Sequence, residues 1–204
     1  MNGGTEMFNR RDMLKTGVAV GVGSGIVSGQ SADGVAFSAG RMSGQQQSQS
    51  VQTDAQGTAM VVQEGEMMRF VVLVTEIENV TQAHIHRGAV GEDGPVVVWL
   101  YPGPKRTNPQ LVAGRFDGVL SSGQFSAADF VGPLEGEPLD ALVTAIEDGN
   151  AYVNVHTEAN PDGEIRGQLS PTSDARVRFR QNVEINASNS LDVSRSVNLQ
   201  VRES

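Results

Sequence analysis

From Asp54 to Pro171 the chain is a succession of short apolar runs, among them "TAMVV", "FVVLV", "VVVWL" and "AYVNV", separated by segments holding Gly, Asn, Asp and Pro. Turn residues at such intervals are the pattern of a β-sandwich or barrel, because each run is long enough for a strand and too short for a typical helix. Strands are expected over Gly57–Gln63, Met67–Glu76, Gln82–His86, Val96–Tyr101, Gly114–Leu120, Ala151–Thr157 and Glu164–Ser170. One helix interrupts them. In "EPLDALVTAIEDGN", Pro138 suits a first helical position, Leu139, Leu142, Val143 and Ile146 recur at helical spacing, and Gly149 can end the element.

Beyond Pro171 the period changes to a strict two. Val177, Phe179, Val183 and Ile185, then Leu191, Val193, Val197, Leu199 and Val201, all fall on odd positions. Two amphipathic strands joined near "ASNS" are expected, forming an additional β-hairpin over residues 172–204. Arg176, Arg178 and Arg180 lie on its other face, which reads as solvated.

The amino terminus reads differently. "NRRDMLK" places Arg10 and Arg11 ahead of an apolar pair and Lys15, and the Gly-rich run "TGVAVGVGSGIVSG" follows. This is the twin-arginine export pattern, which assigns residues 1–32 to a signal peptide and the protein to an extracytoplasmic location. The run is shorter than the ~20 apolar residues that span a bilayer, so no stable membrane span is expected after cleavage. Residues 33–53, with "SAGRMSGQQQSQS" at their centre, are Ser, Gln and Gly with little to bury, and read as a linker to a domain over 54–171.

Charge narrows the partners. The chain carries 24 Asp and Glu against 15 Lys and Arg, a net charge of −9, and Lys105 is its one lysine after the signal. Such a surface repels nucleic acid and anionic lipid. Carboxylate richness, scarce lysine and a twin-arginine signal together resemble the exported proteins of halophilic archaea. With no cysteine, disulfides cannot hold the fold, and the core, with or without a metal, must do so.

All three histidines fall in two polar strand faces. In "AHIHRGAVGEDGP", strand alternation sets His84 and His86 on one face and Ala83 and Ile85 on the other. By the same rule Tyr152, Asn154 and His156 share a face, as do Glu164, Arg166 and Gln168. The turn chemistry of "ANPDGE" makes these last two strands a hairpin. Coincidence of their polar faces requires the pairs His156 with Glu164, Asn154 with Arg166 and Tyr152 with Gln168. Two histidines at i and i+2 with a third on another strand suit a three-imidazole site for copper or zinc, with Glu164 available to orient an imidazole. They suit also a set of hydrogen-bonded structural groups, the commoner use of histidine on a β-face. The Gly and Asp loops Gly91–Gly94 and Glu158–Asp162 are explained by turn formation without calcium.

The blocks "AHIHRGAVGEDGPVVVWL" and "GNAYVNVHTEANPDGEIRGQL" resemble the two signatures of the CHRD domain, the repeat of chordin. The resemblance covers about Asp54 to Pro171 and rests on His84, His86, Gly88, Gly94, Pro95, Tyr152, Asn154, His156, Thr157, Asn160, Pro161, Gly163, Glu164, Arg166 and Gly167. It implies an extracytoplasmic β-sandwich module with no catalytic activity. A fainter likeness is to copper-zinc superoxide dismutase, whose fuller ligand set three histidines do not supply.

The expected architecture is therefore all-β: an antiparallel sandwich, Greek-key and immunoglobulin-like or superoxide-dismutase-like, with one short helix and the C-terminal hairpin. The expected role is a non-enzymatic module at the cell surface that binds a protein or cell-surface polymer through its polar face and loops. The alternative is a metalloprotein holding copper or zinc on His84, His86 and His156. No Ser-His-Asp elbow or paired-carboxylate motif points to hydrolysis.

Overall fold

The computed structural model describes residues 35–172, 175–185 and 191–201. The signal-peptide reading of residues 1–32 lies outside the described residues. The chain forms β1 (Ala36–Ser43), β2 (Gln56–Glu64), β3 (Met67–Arg87), β4 (Val96–Tyr101), β5 (Val112–Ser126), α1 (Leu139–Glu147), β6 (Ala151–Thr157), β7 (Ile165–Gln168), β8 (Ser170–Thr172), β9 (Ala175–Ile185) and β10 (Leu191–Val201).

All pairings among the described residues are antiparallel, as expected, but the strands are not divided into the two facing sheets of a sandwich. β1 to β8 belong to a single sheet ordered β2-β1-β7-β6-β3-β4, and β2 also pairs with β3. That extra pairing closes β1, β2, β3, β6 and β7 into a five-stranded barrel. Closure leaves none of these five strands as an edge, while β4, β5 and β8 each pair with one strand.

Its hub is β3. The expected strands Met67–Glu76 and Gln82–His86 are one element of 21 residues, continuing through the stretch "EIENVTQ". Glu76 and Asn79 take positive φ values of 55° and 51° there, and the register against β5 shifts between Val74 and Ile77 and again between Glu78 and Val80. Bulges of this kind bend a strand without ending it. The first half of β3 thus pairs with β2 and β5, and the second half with β6 and β4.

A second correction concerns the expected linker over 33–53. Residues 36–43 of it form β1, with Phe37, Ala39 and Met42 buried. Phe37 is paired with Val61 of β2 and Pro171 of β8. The composition misled because the strand is short, and Ser38 and Gly40 dilute its apolar residues.

The core gathers Phe37, Val61, Val72, Ile85, Val98, Phe125, Val153 and Ile165 from these strands, and α1 adds Leu139, Leu142 and Ile146 at the expected spacing. The expected strand Glu164–Ser170 is two, β7 and β8, divided at Leu169. The C-terminal hairpin is present, with Val193 opposite Val183, Val197 opposite Phe179 and Leu199 opposite Val177. The solvated-face reading of Arg176, Arg178 and Arg180 lies outside the described side chains. Among the described residues no helix is long and apolar enough to cross a membrane.

Candidate metal centre

Adjacent strands bring the three histidines together. β3 and β6 pair with Gln82 opposite His156, His84 opposite Asn154 and His86 opposite Tyr152, so His84 and His86 stand beside His156 on one face. Ala83 and Ile85 point to the core from the other face, as alternation required. β6 and β7 pair Tyr152 with Gln168 and Asn154 with Arg166, the register that coincident polar faces demand.

This polar face is not a surface. His84, His86 and His156 are 2%, 7% and 5% exposed, and Asn154 and Arg166 are equally covered. Three loops fold over it. Residues 44–53 reach in with Gln47, which donates to Asn154 Oδ1 at 2.7 Å, and Thr53, which donates to Glu164 Oε1 at 2.6 Å. The loop after β3 offers the Ala89 and Glu92 carbonyls to the Arg166 guanidinium at 2.7 and 2.8 Å. The turn between β6 and β7 places the Pro161 carbonyl on His156 and the Asp162 carbonyl on Asn154.

Glycines make these approaches possible at two places. A Cβ at Gly94 would stand 1.7 Å from the Arg87 carbonyl oxygen, and one at Gly163, where φ is 128°, would meet the Asn154 amide at 2.3 Å. No side chain fits either position.

Hydrogen bonding fixes the ring tautomers. His86 Nδ1 lies 2.8 Å from the Gly94 carbonyl and His156 Nδ1 lies 2.9 Å from that of Pro161. A carbonyl only accepts, so both Nδ1 atoms carry the proton and both Nε2 atoms carry a lone pair. His156 Nε2 then accepts from His84 Nδ1 at 3.2 Å. His84 Nε2 and His86 Nε2 are left buried without a partner. Unpaired buried nitrogens are costly, and an imidazole whose far nitrogen donates to a backbone carbonyl is the arrangement of a metal ligand.

One ligand atom from each ring lies within 4.8 Å of the others, and this is the His, Cys, Asp or Glu group of metal-holding geometry found among the described residues. Burial, reinforced by His156 and His86, pushes the His84 pKa down to about 2. Burial also lowers that of His86 to about 4, against the opposing bond to Gly94, and lowers that of His156. The rings are neutral at pH 7 and free to coordinate.

Glu164 does not orient an imidazole. Its carboxylate accepts from Thr53, Thr157 at 2.7 Å and Asn160 at 3.2 Å, so it ties the covering strap to the β6–β7 turn. The Thr53 hydroxyl also accepts from the Ala55 amide, and Thr53→Val is expected to cost about 1 to 2 kcal/mol in urea unfolding. No measurable loss would show that the strap is not part of the folded unit.

The remaining neighbours are aromatic and cationic. Tyr152 stacks on His86 with centroids 4.9 Å apart, and the Arg166 guanidinium sits 3.4 Å from the Tyr152 ring centre. The Trp99 ring meets His84 edge-on at 4.2 Å, because β3 and β4 pair His84 with Trp99. Alternation along β4, combined with that pairing, was the signal available for it. Nothing in side-chain type marks the Gly94 and Pro161 carbonyls, and Gln47 and Thr53 were concealed by the linker-like composition around them.

The CHRD domain model matches residues 38–169, which takes in most of β1 and the covering strap as well as both histidine blocks. No curated protein and no solved structure matches the chain. The match spans well over half of the sequence and includes every strand that builds the barrel face carrying His84, His86 and His156, and the chain therefore belongs to the CHRD domain family.

Proposed function

We propose that this CHRD chain is an exported, non-enzymatic module that holds one copper or zinc ion on His84, His86 and His156. The observation that carries the reading is the convergence of three neutral imidazoles whose ligand atoms lie within 4.8 Å of one another, two of them with an Nε2 that is buried and unpartnered. Export rests on Arg10, Arg11 and the apolar run behind them. Twin-arginine export carries folded protein, so the ion could be acquired before the chain leaves the cytoplasm. The acidic, lysine-poor composition fits a surface hydrated in concentrated salt.

A protein or cell-surface polymer as the ligand has less support. Asn154, Arg166 and Glu164, on whose polar face such binding would rest, are at most 7% exposed. Their polar atoms are engaged inside the molecule.

Full-length protein exported and folded in its own host, analysed by mass spectrometry for metals, is expected to carry one copper or zinc per chain. Chelator-stripped protein should gain about 2.7 kcal/mol of stability at a metal concentration a hundred times Kd. Absence of stoichiometric metal, together with an unchanged Tm in copper and zinc, would overturn the reading.

A further inference from the structure

We infer that the three-histidine site selects monovalent copper over zinc(II) and copper(II), an inference that rests on the metal reading above and sharpens it. Imidazole by itself does not make this choice, since it suits zinc and copper alike. Charge and coordination number do.

The group consists of His84, His86 and His156, with no carboxylate or thiolate among its ligands. Neutral ligands leave the charge of an entering ion uncompensated within the ligand set, and the carboxylates that act on the rings, Asp93 on His86 and Asp162 on His156, are exposed to solvent. A positive charge already stands nearby, because the Arg166 side chain is 1% exposed and its guanidinium lies 3.4 Å from the ring centre of Tyr152, the same ring that stacks on His86. Its counter-charge is weak. Asp93 Oδ1 is 3.9 Å away on a side chain 74% exposed, and the short hydrogen bonds of the guanidinium go to the Ala89 and Glu92 carbonyls.

Removing an ion from water costs free energy that rises with the square of its charge, so a divalent ion is penalised roughly four times as heavily as a monovalent one of equal radius. Repulsion from Arg166 doubles as well. Zinc in proteins almost always completes a tetrahedron with a fourth ligand. Here Trp99 lies on His84 and Tyr152 on His86. The buried side-chain polar atoms left without a partner at the site are His84 Nε2 and His86 Nε2, both on rings of the ligand group. No further unpaired side-chain atom stands ready to hold a water in a fourth position. Monovalent copper, a closed-shell ion, is satisfied by three nitrogens and enters without any electron transfer at the site.

The test is an anaerobic titration of the full chain. Copper(I), supplied as its acetonitrile complex, competes with a coloured copper(I) chelator, and zinc(II) and copper(II) are titrated separately against their own indicators. Fluorescence of Trp99, the one tryptophan of the chain, reports occupancy because its ring touches His84. One copper(I) per chain, held at least about a hundredfold more tightly than zinc(II), is expected. Zinc(II) or copper(II) bound as tightly as copper(I) overturns the selectivity and leaves the metal reading standing. Failure of all three ions to bind overturns both. Asp93→Asn, at an exposed position, removes the carboxylate beside Arg166 and should lower zinc(II) affinity about twice as much, on a logarithmic scale, as copper(I) affinity. Equal losses for the two ions would show that charge is not the cause.

Discussion

Replacing His84 with leucine is expected to cost about a thousandfold in metal affinity, more than the 10–100-fold typical of losing an outer-shell partner, while leaving the metal-free protein folded. His84 is the ring whose contribution to the metal-free fold is smallest. Its Nε2 is buried without a partner, and its one hydrogen bond runs from Nδ1 to another imidazole, His156. A buried unsatisfied nitrogen costs about 1 to 3 kcal/mol, and leucine of similar bulk removes that cost at His84 Nε2 while taking the donor from His156 Nε2, so the two effects offset. The Tm of stripped His84→Leu should therefore stay close to that of the stripped parent. The stabilisation by saturating metal, about 2.7 kcal/mol at a hundred times Kd, should disappear. A structural histidine gives the opposite pair of results, namely a clear loss of Tm in the stripped protein and no change in metal binding. Differential scanning calorimetry with and without metal separates the two cases.

The contrast with His86 sharpens the expectation. That ring donates to the Gly94 carbonyl and stacks on Tyr152, so its removal disturbs the loop after β3 as well as the ligand set. Function at the expense of stability is a common feature of sites whose side chains wait for a ligand. His84 is where the two can be measured apart.

How far the site can be read from sequence follows from what alternation does and does not encode. A period of two places His84 and His86 together and Ala83 and Ile85 in the core, and the turn "NPDG" with matched polar faces fixes the β6–β7 register, as the pairs Asn154–Arg166 and Tyr152–Gln168 demonstrate. Periodicity carries no information about what covers a face. The polar face reads as exposed until Gln47, Thr53 and the loop over 88–94 are seen lying across it. Strand length was equally hidden, since the polar residues of "EIENVTQ" suggest a break and the segment becomes a bend inside β3 through the positive φ of Glu76 and Asn79. Closure into a barrel rests on β1, whose pairing with β2 and β7 no local pattern announces. Many of the family's signature residues acquire physical roles in this arrangement. Gly94 and Gly163 admit backbone and amide where a Cβ would collide, Glu164 ties a strap to a turn, and Arg166 pins the loop that covers the histidines.

Stability of the metal-free protein is expected to fall by at least about 4 kcal/mol between pH 8 and pH 5. The unfolded chain binds protons on histidine below pH 6.5, whereas in the fold burial holds His86 at about 4 and His84 at about 2, with His156 lowered too. Above pH 6.5 neither state is protonated and the contribution is complete. As pH drops through 6.5 only the unfolded chain takes up protons, so the fold loses stability until each folded pKa is reached. At pH 5 each of the two rings with the deeper shifts has cost about 2 kcal/mol, and His156 acts in the same direction. Against the 5–15 kcal/mol typical of a domain, that is a large fraction. The window is clean because the chain has three histidines, all in this site, and most carboxylates titrate lower. Urea unfolding at half-unit steps of pH is the measurement. A flat profile from pH 8 to 5 would mean that the rings are hydrated and share no buried site. A steep profile that His84→Leu makes shallower by about one proton would tie the slope to these imidazoles. Bound metal must act on the same protons, since coordination requires neutral rings. The holo protein should hold its stability further into acid than the stripped one, and then release its ion as the rings protonate.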